Sequence, residues 1–359
     1  MNQNTVKTMN THPKASTGRI EYIDAMRGFT MLLVVVNHVV TYCLGSANQG
    51  ISLNDFFSQV RMPMFFFISG FVLYKDSVVW NGKQIISFFR KKIPVQLLSP
   101  FLFFLVYIHY MDIPFFIAIG QRFKAGYWFT FVLLEYYLIY AIVRFCFRGK
   151  WGHIIVFLVG LLLYAISWPP LYDAIPIGNY WKEVISIPQW DFFLYFVLGT
   201  LVRKNFPLIE KLLDSSWLLL FCILYYFVVN SVRDLMPINQ LVLERSLSLT
   251  GLVVLFAFFR NKQTVFSNDR VWGRTLQYVG RRTLDVYLIH FFFLPYGLNF
   301  VTVFVDRPMP VLEATVSFAI SALIIAACLV ISNIIRLSPI LAHWLFGAKM
   351  PSKATEVSS

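Results

Sequence analysis

Charge is the scarcest property of this chain. Asp, Glu, Lys and Arg make up 14% of its 359 residues, against roughly a quarter in soluble domains. With 58% of residues hydrophobic and 18% aromatic, there is too little polar surface to clothe soluble domains, which leaves a polytopic membrane protein. Cysteine is also scarce: Cys43, Cys146, Cys222 and Cys328 lie in or at the ends of apolar runs with no CxxC spacing. That pattern excludes a disulfide framework and a metal site, and it reads as reduced, buried apolar filler. No HExxH, P-loop or GxGxxG fingerprint occurs, so zinc-peptidase, triphosphatase and dinucleotide chemistry have no carrier. There is no internal repeat and no loop long enough for a soluble domain. The first 20 residues are polar and hold no apolar h-region, so we expect no removable signal peptide and a first span that stays as an anchor.

What is present is a series of ten apolar runs, near 28–45, 63–80, 93–111, 127–147, 153–170, 188–202, 216–232, 241–259, 284–305 and 314–336. With the N-terminus inside, 24 of the 31 Lys and Arg fall in cytoplasmic segments; Arg61, Arg122, Lys124, Lys182, Arg233, Arg245 and Arg307 do not. One span more or fewer would invert every later loop and destroy that asymmetry. The expected fold is therefore all-α, an integral membrane protein of about ten transmembrane helices with both termini cytoplasmic. Residues 1–19 read as a disordered cytoplasmic tail, 20–338 as the transmembrane domain, and 339–359 as an interfacial segment and polar tail. The segment 204–214, alternating charge with apolar residues, reads as a short helix on the inner surface. The net charge of +13 is spread over six short inner segments, whereas a nucleic-acid binder gathers it on one face, so no nucleic-acid partner is expected.

Within the runs a few polar residues stand out. Arg27 and His38 are eleven positions apart, almost three helical turns, so a helix places both on one face about 16 Å apart. An imidazole half a bilayer core beyond a surface arginine is either functional or hydrogen-bonding glue between helices. Arg27 is a site residue or a positive-inside anchor, and Asp24, one turn earlier, pairs with it or caps the span. Glu135 is the one carboxylate well inside a run and must be paired, protonated or solvated. His290, about a turn and a half into the ninth run, is a pocket or packing residue. Two basic clusters, Arg90-Lys91-Lys92 and the set from Arg260 to Arg281 and Arg282, suit anionic membrane lipids or a polyanionic cytosolic ligand such as coenzyme A.

Ile20 to Gly28 leading into Val36-Asn37-His38, followed by Met62-Pro63 through Ser69-Gly70-Phe71, resembles the membrane-bound acyltransferase 3 family. Weaker echoes are Tyr127-Trp128-Phe129, Phe196 to Gly199 and Gly280 to His290, so the resemblance runs from residue 20 to about 335. It implies transfer of an acyl group, usually acetyl, from cytosolic acyl-coenzyme A as co-substrate to a hydroxyl of a cell-envelope glycan or lipid-linked sugar. The place is the plasma (inner) membrane, and no bound cofactor is implied. His38 takes the family's essential histidine role, as base or acyl carrier. Arg27 holds phosphate or orients the site, and Asp24 positions Arg27. Arg90, Lys91, Lys92, Arg281 and Arg282 are the expected donor-binding residues, with Asn37, Ser69, Glu135 and His290 as pocket candidates. The chain departs from the family in offering one arginine and two lysines before the third run, and in placing Arg61 where relatives often carry histidine, so no second catalytic role is expected there.

Two other functions fit the same residues. A proton-coupled transporter would use His38, Glu135 and His290 as a relay, although the matched broken helices of that class are missing. An N-acetyltransferase of an amino sugar would share the first-span Asp and Arg-Gly, while the Met-Pro and Ser-Gly signature favours the O-acyl branch.

Overall fold

The computed structural model describes residues 20–44, 53–232, 235–236, 240–296, 309–348 and 350. The expected polar tails, 1–19 and 351–359, lie outside the described residues, as does the end of the ninth run. Each of the ten runs contains helix, the second as far as Leu73 and the ninth as far as Phe293. The first is α1 (Glu21–Val39), which continues through a π-helical turn (Val40–Leu44), and the second is α2 (Ser58–Leu73). The third is α3 (Gly82–Ile93) joined by a π-helical turn (Pro94–Leu98) to α4 (Ser99–Tyr110). There follow α5 (Trp128–Cys146), α6 (Gly149–Ile166), α7 (Phe193–Lys204), α8 (Phe206–Leu213), α9 (Ser216–Val232) and α10 (Gln240–Asn261). The chain ends with α11 (Val271–Arg281), α12 (Thr283–Ile289), α13 (Pro310–Ile335) and α14 (Pro339–Phe346).

Six helices among the described residues are long and apolar enough to cross a membrane: Glu21–Leu44, Gly82–Tyr110, Trp128–Cys146, Gly149–Ile166, Val242–Asn261 and Pro310–Ile335. A seventh is formed if Ile187–Lys204 is taken with α8, which bends away from it by 98°. The segments Ser58–Leu73, Ser216–Val232 and Thr283–Phe293 are apolar but shorter.

The helices α1 and α3 begin well before their apolar runs. Glu21 and Asp24 occupy the first turn of α1, where negative charge is favoured by the helix dipole. Asn81 caps α3 by accepting from the Gln84 amide at 2.9 Å, and Arg90, Lys91 and Lys92 fill its last turn. The basic loop after α10 contains a helix not apparent from hydropathy: α11 buries Gly273, Gln277 and Gly280 on one face, the spacing of an amphipathic helix. Cys146 is exposed at the end of α5, contrary to the buried filler expected; the other three cysteines are buried.

Two close crossings set the arrangement. A Cβ added to Gly28 of α1 would lie 2.0 Å from the Leu276 carbonyl oxygen of α11, and one on Gly280 would lie 1.9 Å from the Asp24 carbonyl. Between α2 and α7 the same holds: Gly70 against the Phe196 carbonyl at 1.9 Å, Gly199 against that of Phe67 at 2.0 Å. Glycine lets backbones approach to this degree, and no other residue fits. The glycines of the Arg-Gly and Ser-Gly motifs are thus spacing elements. Around them α1 passes between two apolar clusters, Tyr22, Ala25 and Met26 in one, Met31, Val35, Val36 and Val39 in the other. Phe66 of α2 is an aromatic hub, with ring centroids 4.9 Å from both Phe129 and Tyr136 and 5.4 Å from Phe192.

Replacing Gly199 or Gly280 by Val should force these helices apart, at a cost of about 1–3 kcal/mol or more. The expected result is a lower melting temperature and loss of the monodisperse peak in gel filtration. Gly82→Ala, whose added Cβ meets nothing within 4 Å, should leave both unchanged.

Candidate functional site

A cavity of about 920 Å³ lies among these helices. Each contributes one face: Arg27, Met31, Val34 and His38 from α1; Arg61, Phe65, Ser69 and Val72 from α2; Gln84, Phe88 and Lys92 from α3; Thr130, Leu133 and Tyr137 from α5. Spacings of three and four residues are those of a single helical stripe. The crossing of α1 and α11 adds Gly280 and Arg281 beside Arg27, and α12 adds Leu284 and Tyr287. Arg27 and His38 therefore share one wall, as their spacing predicts.

The wall carries five cations, Arg27, Arg61, Lys75, Lys92 and Arg281, and among the described residues no carboxylate. Asp24 is buried behind the wall, 3.9 Å from Arg27. Among the described residues Lys75, Lys92 and Arg281 have no ion-pair partner; Arg281 donates to Gln277 at 3.3 Å, and the Lys92 ammonium lies 5.0 Å from the Tyr137 ring centroid. A pocket with this balance attracts anions.

His38 is half-buried, with its ring centroid 5.2 Å from that of His290, 4.8 Å from Phe291 and 5.7 Å from Tyr42. His290 is fully buried behind it. Its Nδ1 is 3.0 Å and 2.9 Å from the carbonyl oxygens of Val286 and Tyr287, which can only accept, so Nδ1 carries the proton. Nε2 is then an acceptor, and it is buried without a hydrogen-bond partner. An imidazole acceptor with nothing bonded to it, next to a second imidazole on a cavity wall, is an arrangement able to hold the tautomer of that second ring.

The remaining expected residues divide. Asn37 and Ser69 line the cavity, and the Ser69 hydroxyl donates back to the Phe65 carbonyl at 2.8 Å, leaving its lone pairs to the cavity side. Lys92 faces the cavity, while Arg90 and Lys91 are exposed on the other side of α3. Arg281 faces it too. Arg282 turns to α13, where its Nη1 is 2.8 Å from Ser332 Oγ and 3.4 Å from Asp285. Asp285 also accepts from Nε and Nη2 of Arg336, at 2.9 and 3.0 Å, and from the Ser332 hydroxyl, so Arg282 belongs to a clamp between helices. Glu135 lies off the cavity and accepts from the Trp190 indole at 3.3 Å; the three-membered relay with His38 and His290 is not assembled.

The acyltransferase 3 family model, described as an acyltransferase domain, matches residues 20–333. The chain belongs to the acyltransferase 3 family. No curated protein and no solved structure matches it. Membership makes this an acyl-transferring enzyme, and its apolar helices make it a membrane one. The matched region contains every helix that lines the cavity.

Several wall residues were not singled out from sequence: Lys75, Gln84, Gln96, Thr130, Tyr137 and Tyr287. Arg61, where no second catalytic role is expected, lines the same cavity as His38. Its signal lay in the sequence, as one of seven cations outside the expected cytoplasmic segments and directly before Met62-Pro63.

Coenzyme A serves as a polyanionic probe of this wall. Lys92→Gln and Arg281→Gln should each weaken its binding by about tenfold or more, the value of a charge-assisted contact at 1.5–3 kcal/mol. Arg90→Gln and Lys91→Gln should leave it within error, as read by isothermal titration.

Proposed function

We propose that the chain crosses the plasma (inner) membrane ten times with both termini cytoplasmic. We infer that it transfers an acyl group, acetyl first of all, from cytosolic acyl-coenzyme A to a hydroxyl of a cell-envelope glycan or lipid-linked sugar. The observation that carries this reading is one cavity whose wall bears five cations, no carboxylate among the described residues, and His38. The presence of a helix in each of the ten apolar runs supports the crossing count, and the excess of Lys and Arg in alternate segments supports the orientation.

The phosphates of the donor meet Arg27, Lys75, Lys92 and Arg281 at the inner mouth, where guanidinium and ammonium groups suit pyrophosphate and ribose phosphate. The thin pantetheine arm then runs along the stripe of Met31 and Val34, about 16 Å from Arg27 to His38. Turned toward His290, the His38 ring would donate to the unpartnered Nε2 and leave its other nitrogen as a base toward the cavity. That nitrogen takes the proton of the acceptor hydroxyl as its oxygen attacks the thioester carbonyl, whose π electrons move onto oxygen. Collapse of the tetrahedral intermediate re-forms the carbonyl and breaks the C–S bond. The thiolate recovers the proton from the imidazolium, giving an ester and free coenzyme A. Asp24, behind Arg27, holds that guanidinium at the mouth, and membrane lipids surround the outer helix faces.

Deleting the gene in its host should remove an ester-linked acetyl mass from envelope glycans, measured by mass spectrometry. Wild type should restore it and His38→Ala should not, at equal protein level in the membrane. Restoration by His38→Ala would remove the histidine from the mechanism. No glycan changed by the deletion would remove the acceptor class.

A further inference from the structure

Beside His38 the wall holds a line of three polar side chains whose direction is set by its first member. Arg61 has only donors, and its Nη1 is 2.6 Å from Asn54 Oδ1. Asn54 must therefore present its carbonyl to Arg61 and its amide nitrogen away from it. That nitrogen, Nδ2, lies 3.1 Å from Asn37 Oδ1. Asn37 must in turn accept at its oxygen, which turns its own NH₂ group the other way. Asn54 is buried, while Asn37 and Arg61 both line the cavity on which His38 lies. An asparagine left to itself presents carbonyl or amide with little preference. Here a guanidinium two links away removes the choice.

We propose that the Asn37 amide is the oxyanion donor of the transfer reaction, a catalytic residue, and that Asn54 and Arg61 are positioning residues that hold it donor-outward. The inference rests on the acyl-transfer reading above and adds a role to it. As the hydroxyl oxygen bonds to the thioester carbon, the carbonyl oxygen gains a full negative charge, and an N–H already aimed at it costs no reorganisation. Asn37 is the neighbour in sequence of the base, so the donor and the proton acceptor ride on the same turn of α1. One helix thereby fixes both the place where the proton goes and the place where the charge collects. The cation at the far end of the line strengthens the effect, because each bond in the chain polarises the next. It also explains why Arg61 stands at this position in an apolar helix. Its partner Asn54 lies in a short helix, Leu53–Phe56, that leads into α2, so the donor line stitches α1 to the start of α2 across the cavity rim.

Two substitutions separate the donor from its support. Asn37→Ala deletes the amide. Asn54→Asp keeps the acceptor for Arg61 but replaces the nitrogen with a second acceptor oxygen, so Asn37 must turn over and offer its carbonyl to the cavity. The assay is release of free thiol from acetyl-coenzyme A by inverted membrane vesicles of the host, which carry the acceptor, with rates normalised to enzyme present. Each variant should lower kcat by about a hundredfold, as loss of one oxyanion donor does, with KM for acetyl-coenzyme A unchanged. In the Asn37→Ala background, Asn54→Asp should cause no further loss, because the group it misdirects is already gone. Should Asn54→Asp fail to accumulate, Asn54→Ser, which is too short to bridge Arg61 and Asn37, takes its place with the same expected loss. A kcat for Asn37→Ala equal to wild type would overturn the donor role. Losses that multiply in the double variant, or that appear as a raised KM, would overturn the relay. His38→Ala is run alongside: thiol release that survives it means that the acyl-transfer reading itself has failed, whereas its loss with an active Asn37→Ala fails the donor alone.

Discussion

Everything in this protein depends on how closely two pairs of helices pass. Gly28 and Gly280 bring α1 and α11 into backbone contact, and Gly70 and Gly199 do the same for α2 and α7. In a lipid environment apolar side chains gain little by meeting one another, so close backbone packing is a main source of association. The crossings also place the chemistry. Gly28 directly follows Arg27 and Gly280 directly precedes Arg281, so the contact that joins α1 to α11 sets two cations at one mouth. Gly70 follows Ser69, so the second contact turns another lining residue inward.

The site's charge balance is as unusual as its packing. Buried cations in proteins are ordinarily matched by carboxylates, because an unmatched charge away from water is costly. The molecule observes that rule elsewhere: Asp191 takes Arg245 at 2.5 Å, and Asp285 takes Arg282 and Arg336. On the cavity wall Arg27 has Asp24 behind it and Lys75 and Arg281 are exposed, while the partly buried Lys92 has no ion-pair partner among the described residues. The surplus of cations over carboxylates on this one wall is what suits the cavity to a ligand that supplies negative charge.

Sequence made much of this legible and hid the rest for a physical reason. Apolar runs locate helices because burial in lipid or protein demands them, and among the described residues each of the ten runs contains one. A spacing of eleven reports a shared face wherever a helix forms, which is why Arg27 and His38 meet on one wall. Rotation of a helix about its own axis leaves no such trace in a uniformly apolar segment. Of Arg90, Lys91 and Lys92, only packing decides that the last faces inward; of Arg281 and Arg282, only the Asp285 clamp decides that the second faces away. Glu135 looked like a site residue because it was alone in its run, and its answer was an indole fifty-five residues later. Asn54 left no signal at all, since its meaning lies in which neighbour it accepts from.

The unmatched mouth has a thermodynamic corollary. Electroneutrality requires that, with no ligand bound, Lys75, Lys92 and Arg281 be attended by small mobile anions drawn from the surrounding solution. A multivalent ligand arriving there displaces them, and their dilution into bulk is favourable entropy, the same counterion exchange that drives proteins onto polyphosphate chains. Departure of the spent ligand runs the exchange backwards. The salt around the membrane is thereby a reactant on both sides of the cycle, consumed at each exit and returned at each entry.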